Sequence, residues 1–161
     1  MAIDQPQLQP RQRVAAYGLA RRGDAVLLAR ASAQSALPGS WFLPGGGVEF
    51  GEAPAACVAR EFLEETGLTA HVSQLLDVVS DVTDLPSRGE RLQAVRILYA
   101  VDVDGRHPIA ESDGTTDRVA WVSMTEALAL PLMPFVRALL LERQAPLIEQ
   151  PRTPAAVAPH D

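Results

Sequence analysis

The chain has 161 residues, of which 47% are hydrophobic and 21% charged, and this size and balance predict one globular domain with a single sizeable core. It contains no run of about 18 uncharged apolar residues, which argues against a membrane-spanning helix. The formal net charge of −6 argues against sequence-independent binding to nucleic acid, because phosphate contacts need clustered lysine and arginine. We therefore expect any nucleotide partner to be a small molecule that arrives with a metal ion.

The two ends of the chain differ in composition from the middle. Residues 1–12 are polar and contain prolines, and residues 146–161 are rich in proline and alanine, so both are predicted to be flexible tails around a domain at residues 13–145. The first residues lack the apolar segment of a secretory signal, and the single cysteine, Cys57, cannot form an intrachain disulfide. Both features predict a cytoplasmic location.

The first half of the domain is predicted to contain a hairpin, a glycine-rich loop and a helix. Apolar runs at 13–20 and 24–30 flank the turn signal Arg-Arg-Gly-Asp, which is typical of a β-hairpin. The sequence WFLPGGG at 41–47 is predicted to interrupt regular structure. A helix is predicted to begin near Pro54 and to end at Gly67, because glycine commonly supplies the left-handed C-cap.

The second half is predicted to contain strands and two short helices. Apolar stretches at 75–82, 94–103 and 119–122 predict strands separated by polar loops. The capping-box sequence Ser-Met-Thr-Glu at 123–126 predicts a short helix, and Pro134 predicts the start of another. Strands before and after a central helix, with helices at the end, indicate an α/β fold in which a mixed sheet lies between helices.

Three glutamates lie close together on the central helix. At about 3.6 residues per turn, Glu61, Glu64 and Glu65 are predicted on one face, opposite the side formed by Ala55, Ala59, Phe62, Leu63 and Thr66. Like charges three and four residues apart repel each other, so either solvent or a cation must offset the repulsion. Carboxylates that converge in this way suit Mg²⁺ or Mn²⁺. The alternative is a solvated acidic surface.

The segment from Gly46 to Leu68 contains a longer pattern. Gly46 is followed by five residues, Glu52, seven residues and then the sequence REFLEETGL. This resembles the Nudix box, GX5EX7REUXEEXGU, where U is a bulky aliphatic residue. All seven fixed identities are present, and Phe62 at a U position keeps that position bulky and apolar. The segments at 41–46 and 121–123 also look Nudix-like.

This resemblance implies a Nudix-type α/β/α sandwich with a mixed sheet and a divalent-metal-dependent, MutT-like hydrolase. It assigns Glu61, Glu64 and Glu65 as metal ligands, with one of them, or a nearby acidic side chain, as the general base. Arg60 is expected to orient a glutamate through a bidentate hydrogen bond rather than to contact the substrate.

Further candidates surround this ligand set. The backbone carbonyl of Gly46 is a candidate metal contact, and Glu52 is a candidate ligand or supporting group. Many relatives add an acidic ligand from a loop before the last strand, and Glu111, Asp113 and Asp117 all remain candidates for that position. The implied cofactor is Mg²⁺, with Mn²⁺ as an alternative.

Other residues carry weaker signals. Cys57 has no histidine at a motif position and is expected to be a packed thiol rather than a nucleophile. Aromatic side chains beside strands are more often core than base-stacking groups, a statement that applies to Tyr17, Trp41 and Phe42. Ordinary surface charge is the preferred interpretation for arginines that could meet phosphate, namely Arg11, Arg13, Arg88 and Arg91.

The sequence does not select a substrate. Patterns typical of coenzyme A, diadenosine polyphosphate and NADH-cleaving members are absent or incomplete, which leaves nucleoside triphosphates and ADP-ribose-like nucleoside diphosphate derivatives. The alternative function is a non-catalytic Nudix-fold module that binds a nucleotide, although such modules typically lose box residues that this chain retains. Homodimers are common in the family, and no residue pattern here places an interface.

Overall fold

The computed structural model describes residues 8–144, and the predicted C-terminal tail at 146–161 lies outside this range. Within the described range, seven strands form a sheet: β1 Gln9–Arg22, β2 Ala25–Ala31, β3 Trp41–Phe42, β4 Gly45–Gly47, β5 Ala70–Leu85, β6 Glu90–Val103 and β7 Thr116–Ser123. The helices of the same range are α1 Pro54–Thr66, α2 Met124–Ala129 and α3 Pro134–Gln144, with a 3-10 turn at Pro86–Arg88.

Strand β1 organises the sheet. The strand order is β3-β2-β1-β6-β5, with β4 paired to β1 and β7 paired to β2. β1 pairs antiparallel with β2 at the Arg-Arg-Gly-Asp turn, which confirms the predicted hairpin, and it runs parallel to β6 from Gln9–Glu90 to Ala20–Val101. The other registered strand pairs are antiparallel, so the sheet is mixed, as predicted.

Two apolar cores lie on opposite faces of the sheet. Side chains alternate between the faces along a strand, so Val26 and Leu28 pack in the core beneath α2 and α3, whereas Leu27 packs in the core beneath α1. Helices therefore cover both faces. This arrangement confirms the α/β/α sandwich.

The termini of the helices follow local sequence signals. Pro54 begins α1, and Gly67 ends it with a φ of 67°, its N–H donating to the Leu63 carbonyl at 3.0 Å. At α2, the Ser123 hydroxyl accepts from the Glu126 N–H at 3.3 Å, which completes the predicted capping box. No helix in the described part of the chain combines the length and apolar character that crossing a bilayer would require.

The buried face of α1 differs from the prediction. Leu63 is 57% exposed, although it was predicted on the core side, and Glu65 is only 5% exposed, although it was predicted on the opposite face. Contact with the sheet sets the rotation of the helix, and a projection of the helix alone lacks that information. The buried residues are Cys57, Val58, Phe62, Glu65 and Thr66.

Two further segments are more regular than the sequence indicated. The predicted interruption at 41–47 contains β3 and β4, and β4 pairs with β1 so that Gly45 lies opposite Tyr17. Glycine in a strand often marks the close approach of another group; β1 approaches Gly45, and the Glu61 carboxylate of α1 approaches Gly46. Strand β1 begins at Gln9, so residues 9–12, assigned above to the N-terminal tail, pair with β6.

Phe62 is expected to be a major contributor to stability. Its side chain is fully buried between α1 and the sheet, so the Phe62→Ala variant should lose about 3–5 kcal/mol of unfolding free energy. Urea denaturation followed by circular dichroism measures this loss. The matched control is Phe50→Ala, because Phe50 is fully exposed and should change stability by less than about 0.5 kcal/mol. Equal losses in the two variants would contradict this packing.

Candidate active site

Glu65 is a buried carboxylic acid at the junction of α1, β4 and β7. The Gly45 N–H donates to its Oε2 at 2.9 Å, and the Thr116 hydroxyl donates to its Oε1 at 3.2 Å. Burial, together with the negative charges of Glu61 and Glu111, raises the pKa of Glu65 to about 8, although the two hydrogen bonds oppose this rise. A charged Glu65 is therefore costly in this position unless a cation lies beside it.

Glu61 packs against the glycine strand. A Cβ atom at Gly46 would clash with the Glu61 carboxylate, although the backbone of Gly46 does not have the left-handed conformation that favours glycine. The absence of a side chain at Gly46 therefore allows α1 and β4 to approach each other. Burial raises the pKa of Glu61, while the hydrogen bond from Arg60 at 3.0 Å opposes that rise.

Arg60 connects the remaining box carboxylates. Its Nε and Nη2 donate to the two oxygens of Glu52 at 2.8 and 3.0 Å, so the predicted bidentate contact is present and Glu52 is its partner. Its Nη1 donates to Glu61 at 3.0 Å and to Glu64 at 3.3 Å. The hydrogen bonds from Arg60 lower the pKa of Glu52 to about 2. Arg60 thus offsets much of the repulsion among the acidic side chains.

The predicted ligands fall into two groups. Glu61, Glu65 and Gly46 line a common cleft, whereas Glu52 and the half-exposed Glu64 lie around Arg60. Among residues 8–144, no three acidic, histidine or cysteine side chains already form a set that could hold a metal ion. The acidic side of the cleft nevertheless carries the carboxylates of Glu61 and Glu65, and carboxylate oxygens suit a hard divalent cation.

The three further acidic candidates, in the loop before β7 and at the start of that strand, have different surroundings. The negative charge of Glu111 contributes to the raised pKa of Glu65. Asp117 instead accepts a hydrogen bond from Arg30 at 2.8 Å. Asp113 occupies a tight turn with a φ of 61°. Of the three candidates, Glu111 is therefore the one whose charge acts on Glu65.

A cleft of about 500 Å³ extends along β1 beside the carboxylates, and its sides differ in chemistry. Glu61 and Glu65 form the acidic side. The remainder includes uncharged polar side chains as well as basic and apolar ones, namely Arg13, Arg88 and Arg96 together with Tyr17, Leu37, Phe42 and Met133. The cleft can therefore accept a ligand that carries both anionic and apolar groups.

Sequence reasoning did not select Arg96, one of three arginines that line the cleft. Arg96 interrupts the apolar run at 94–101 of β6 and carries no motif, but its register opposite Ala15 places it beside the cleft. Arg13 and Arg88, interpreted above as ordinary surface charges, also line the cleft. Trp41, by contrast, is buried in the core beneath α2 and α3.

Cys57 lies behind the glycine strand as a packed thiol. Its Sγ donates to the carbonyl of Gly47 at 3.4 Å and lies 3.6 Å from that of Gly46. Burial raises its pKa to about 11, so the thiolate form that would act as a nucleophile is disfavoured. These contacts agree with the structural role expected from the sequence.

The fold, the box residues and the cleft together are those of a Nudix domain. The family model of the NUDIX domain matches residues 9–144, and the chain belongs to this family.

Two curated proteins are similar in sequence to part of this chain. The chain is 37% identical over 92 residues to an ADP-ribose pyrophosphatase of Methanocaldococcus jannaschii, a match that covers 57% of this chain and 52% of that protein. It is 40% identical over 74 residues to a MutT-like protein of Streptomyces ambofaciens, covering 46% of each. The matched segment thus spans about half the length of these relatives.

Solved structures share the fold. A MutT NUDIX hydrolase from Burkholderia pseudomallei is 27% identical, with a TM-score of 0.66 and coverage of 84% of this chain and 99% of that one. The NUDIX domain of NrtR from Shewanella oneidensis, crystallised with ADP ribose, is 20% identical with a TM-score of 0.67 and coverage of 83% and 86%. The second likeness concerns the fold alone.

Proposed function

We propose that the chain is a divalent-metal-dependent hydrolase that cleaves the diphosphate bond of a nucleoside diphosphate linked to another moiety. The observation that carries this proposal is the buried Glu65, which lines the same cleft as Glu61 and Gly46, together with basic and apolar side chains elsewhere in that cleft. Membership of the family and the names of the curated relatives support the class of reaction.

We propose that Glu61, Glu65 and the Gly46 carbonyl hold the cation, with Glu64, Glu52 and Glu111 as further members of the site. The oxygen donors favour Mg²⁺, with Mn²⁺ as an alternative. When bound, such an ion would neutralise phosphate charge and lower the pKa of a coordinated water.

The chain's own residues would position and activate the reactants. A carboxylate of the glutamate cluster would accept the proton of the attacking water, since these side chains lie at the acidic side of the cleft. Arg60 holds Glu52, Glu61 and Glu64 in one network, which fixes the carboxylates before substrate binds.

We propose that the nucleoside lies against the apolar side of the cleft. Phe42, Leu37 and Met133 would shield the base from water, while the phosphates would lie between the carboxylates and the arginines. A small nucleotide of the cytoplasm fits this cleft and the acidic net charge of the chain better than a nucleic acid does.

The test is product analysis with the full chain. Nucleoside triphosphates and ADP-ribose are incubated with the protein in Mg²⁺ or in EDTA, and products are separated by anion-exchange chromatography. We expect at least one substrate to yield a nucleoside monophosphate, and only with the metal. Nucleotide binding without any turnover would support the alternative, a non-catalytic nucleotide-binding module.

Replacement of Arg60 by lysine is expected to lower activity even though the charge is kept. Lysine cannot make the bidentate contact with Glu52 and also reach Glu61 and Glu64, so kcat should fall about 10–100-fold. The matched control is Arg106→Lys, whose exposed guanidinium also pairs with a carboxylate, that of Asp104, and which should retain full activity. A similar loss in both variants, measured as kcat with Mg²⁺, would contradict the role of Arg60.

A further inference from the structure

Two arginines of the cleft have no acidic partner among residues 8–144. Arg13 lies on β1 and Arg88 lies in the turn between β5 and β6, and both are exposed. The third arginine of the cleft, Arg96, forms an ion pair with Asp81 and lies 4.8 Å above the ring of Phe135. The positive charges that remain for a ligand are therefore those of Arg13 and Arg88.

Nearby arginines outside the cleft behave differently. Arg11 lies two residues before Arg13 on the same strand and contacts Glu90 at 3.6 Å, and Arg91 contacts Asp84 at 3.2 Å. Arg11 and Arg91 thus each have an acidic partner, whereas Arg13 and Arg88 have none among residues 8–144.

The backbone places both arginines along β1, beside the cleft that they line. A Cβ at Gly47 would lie 3.2 Å from Nη2 of Arg13, so this guanidinium lies beside the strand that also carries Gly46. The Gln9 N–H donates to the Gly89 carbonyl at 2.8 Å, which ties the turn that carries Arg88 to the start of β1. Arg13 and Arg88 thus extend the cleft away from the carboxylates along β1.

Charge balance distinguishes the two leading classes of substrate. A diphosphate between two neutral groups carries about two negative charges, whereas a terminal phosphate adds about 1.5 to 2 more at pH 7. One divalent cation offsets about two charges, which is enough for ADP-ribose. Two unpaired guanidinium groups match the additional charge of a triphosphate, and guanidinium donates to phosphate oxygens in a bidentate manner.

We propose that Arg13 and Arg88 form an anion subsite for the terminal phosphate of a nucleoside triphosphate. This subsite gives the chain a preference for nucleoside triphosphates over nucleoside diphosphate sugars such as ADP-ribose. The inference rests on the proposed function, because it concerns the orientation of the substrate in the same cleft.

The experiment compares ATP with ADP-ribose as substrates for the full chain in Mg²⁺. The variants are Arg13→Gln, Arg88→Gln and the charge-preserving Arg13→Lys, and the matched controls are Arg11→Gln and Arg91→Gln. We expect each cleft variant to raise KM for ATP about 10–100-fold, with a change below about threefold for ADP-ribose. Arg13→Lys should recover part of the loss, and the controls should behave as the unmodified protein.

A binding measurement separates failure of this subsite from failure of the proposed function. Calorimetry with the α,β-methylene analogues of ATP and ADP-ribose should give tighter binding of the ATP analogue, and Arg13→Gln should remove that difference. Turnover of ADP-ribose alone, or equal losses for both substrates in the cleft variants, would overturn the subsite while the hydrolase proposal stands. Absence of turnover with a preserved preference in binding would overturn the hydrolase proposal and support the subsite.

Discussion

Replacement of Glu65 by glutamine is expected to abolish most hydrolysis while leaving the fold intact. Glutamine has nearly the same size and its oxygen can still accept a hydrogen bond from the Gly45 N–H, but it removes the charge that would hold a cation. We expect kcat to fall about 10²–10⁴-fold, the range for loss of an essential acid–base or ligand group. Glu61→Gln should produce a loss of similar size, because Glu61 lines the same side of the cleft.

The matched control for this change is Glu142→Gln on the exposed side of α3. Initial rates in saturating Mg²⁺ give kcat, and thermal unfolding by circular dichroism shows whether each variant keeps its structure. The control should have normal kcat. A folded Glu65→Gln protein that keeps more than half of the normal kcat would contradict the assignment of Glu65.

Replacement of Gly46 by alanine has the second largest expected effect. The new Cβ would clash with the Glu61 carboxylate, so this carboxylate and β4 would have to move apart. A displacement of about 1 Å at a catalytic group can cost about 10²-fold in rate, and we expect a loss of that size in kcat/KM. The strain should also lower the unfolding free energy by about 1–3 kcal/mol.

Gly105→Ala provides the matched control for this glycine substitution. A Cβ at Gly105 meets no atom within 4 Å, and its backbone is not left-handed, so both activity and stability should be unchanged. Steady-state kinetics and urea denaturation measure the two quantities. If Gly46→Ala were as active as Gly105→Ala, the close contact between Gly46 and Glu61 would have no part in catalysis.

Local signals in the sequence predicted the elements that depend on local physics. Pro54 and Gly67 mark the ends of α1 because proline suits the first turn of a helix and glycine suits a left-handed cap. Ser123 and Glu126 mark the start of α2 because their side chains satisfy backbone groups within four residues. These features need no information from distant parts of the chain.

The burial of Glu65 could not be predicted from local sequence signals. Its environment is formed by Gly45 and Thr116, which lie 20 and 51 residues away in the sequence. The helical projection placed Glu65 with Glu61 and Glu64 on one exposed face, whereas contact with β4 and β7 buries it. The glutamates of α1 therefore differ in solvent exposure: Glu65 is buried, whereas Glu64 is half exposed.

The basic side of the cleft also depends on long-range register. Arg13 and Arg96 lie on strands that are distant in sequence, and the parallel pairing of β1 with β6 brings them to one cleft. No spacing rule links them, so sequence reasoning treated Arg13 as surface charge and did not select Arg96. Asp117, by contrast, is held away from the glutamates of α1 by its hydrogen bond with Arg30 across β2 and β7.

Binding of Mn²⁺ measured by electron paramagnetic resonance tests the central claim most directly, because it detects the cation without requiring the substrate. The claim is that Glu61 and Glu65 bind a divalent cation. We expect the unmodified chain to bind Mn²⁺ in competition with Mg²⁺, the Glu65→Gln protein to lose most of that affinity, and Glu142→Gln to retain it. Equal Mn²⁺ affinity in the unmodified chain and in folded Glu65→Gln would contradict the claim.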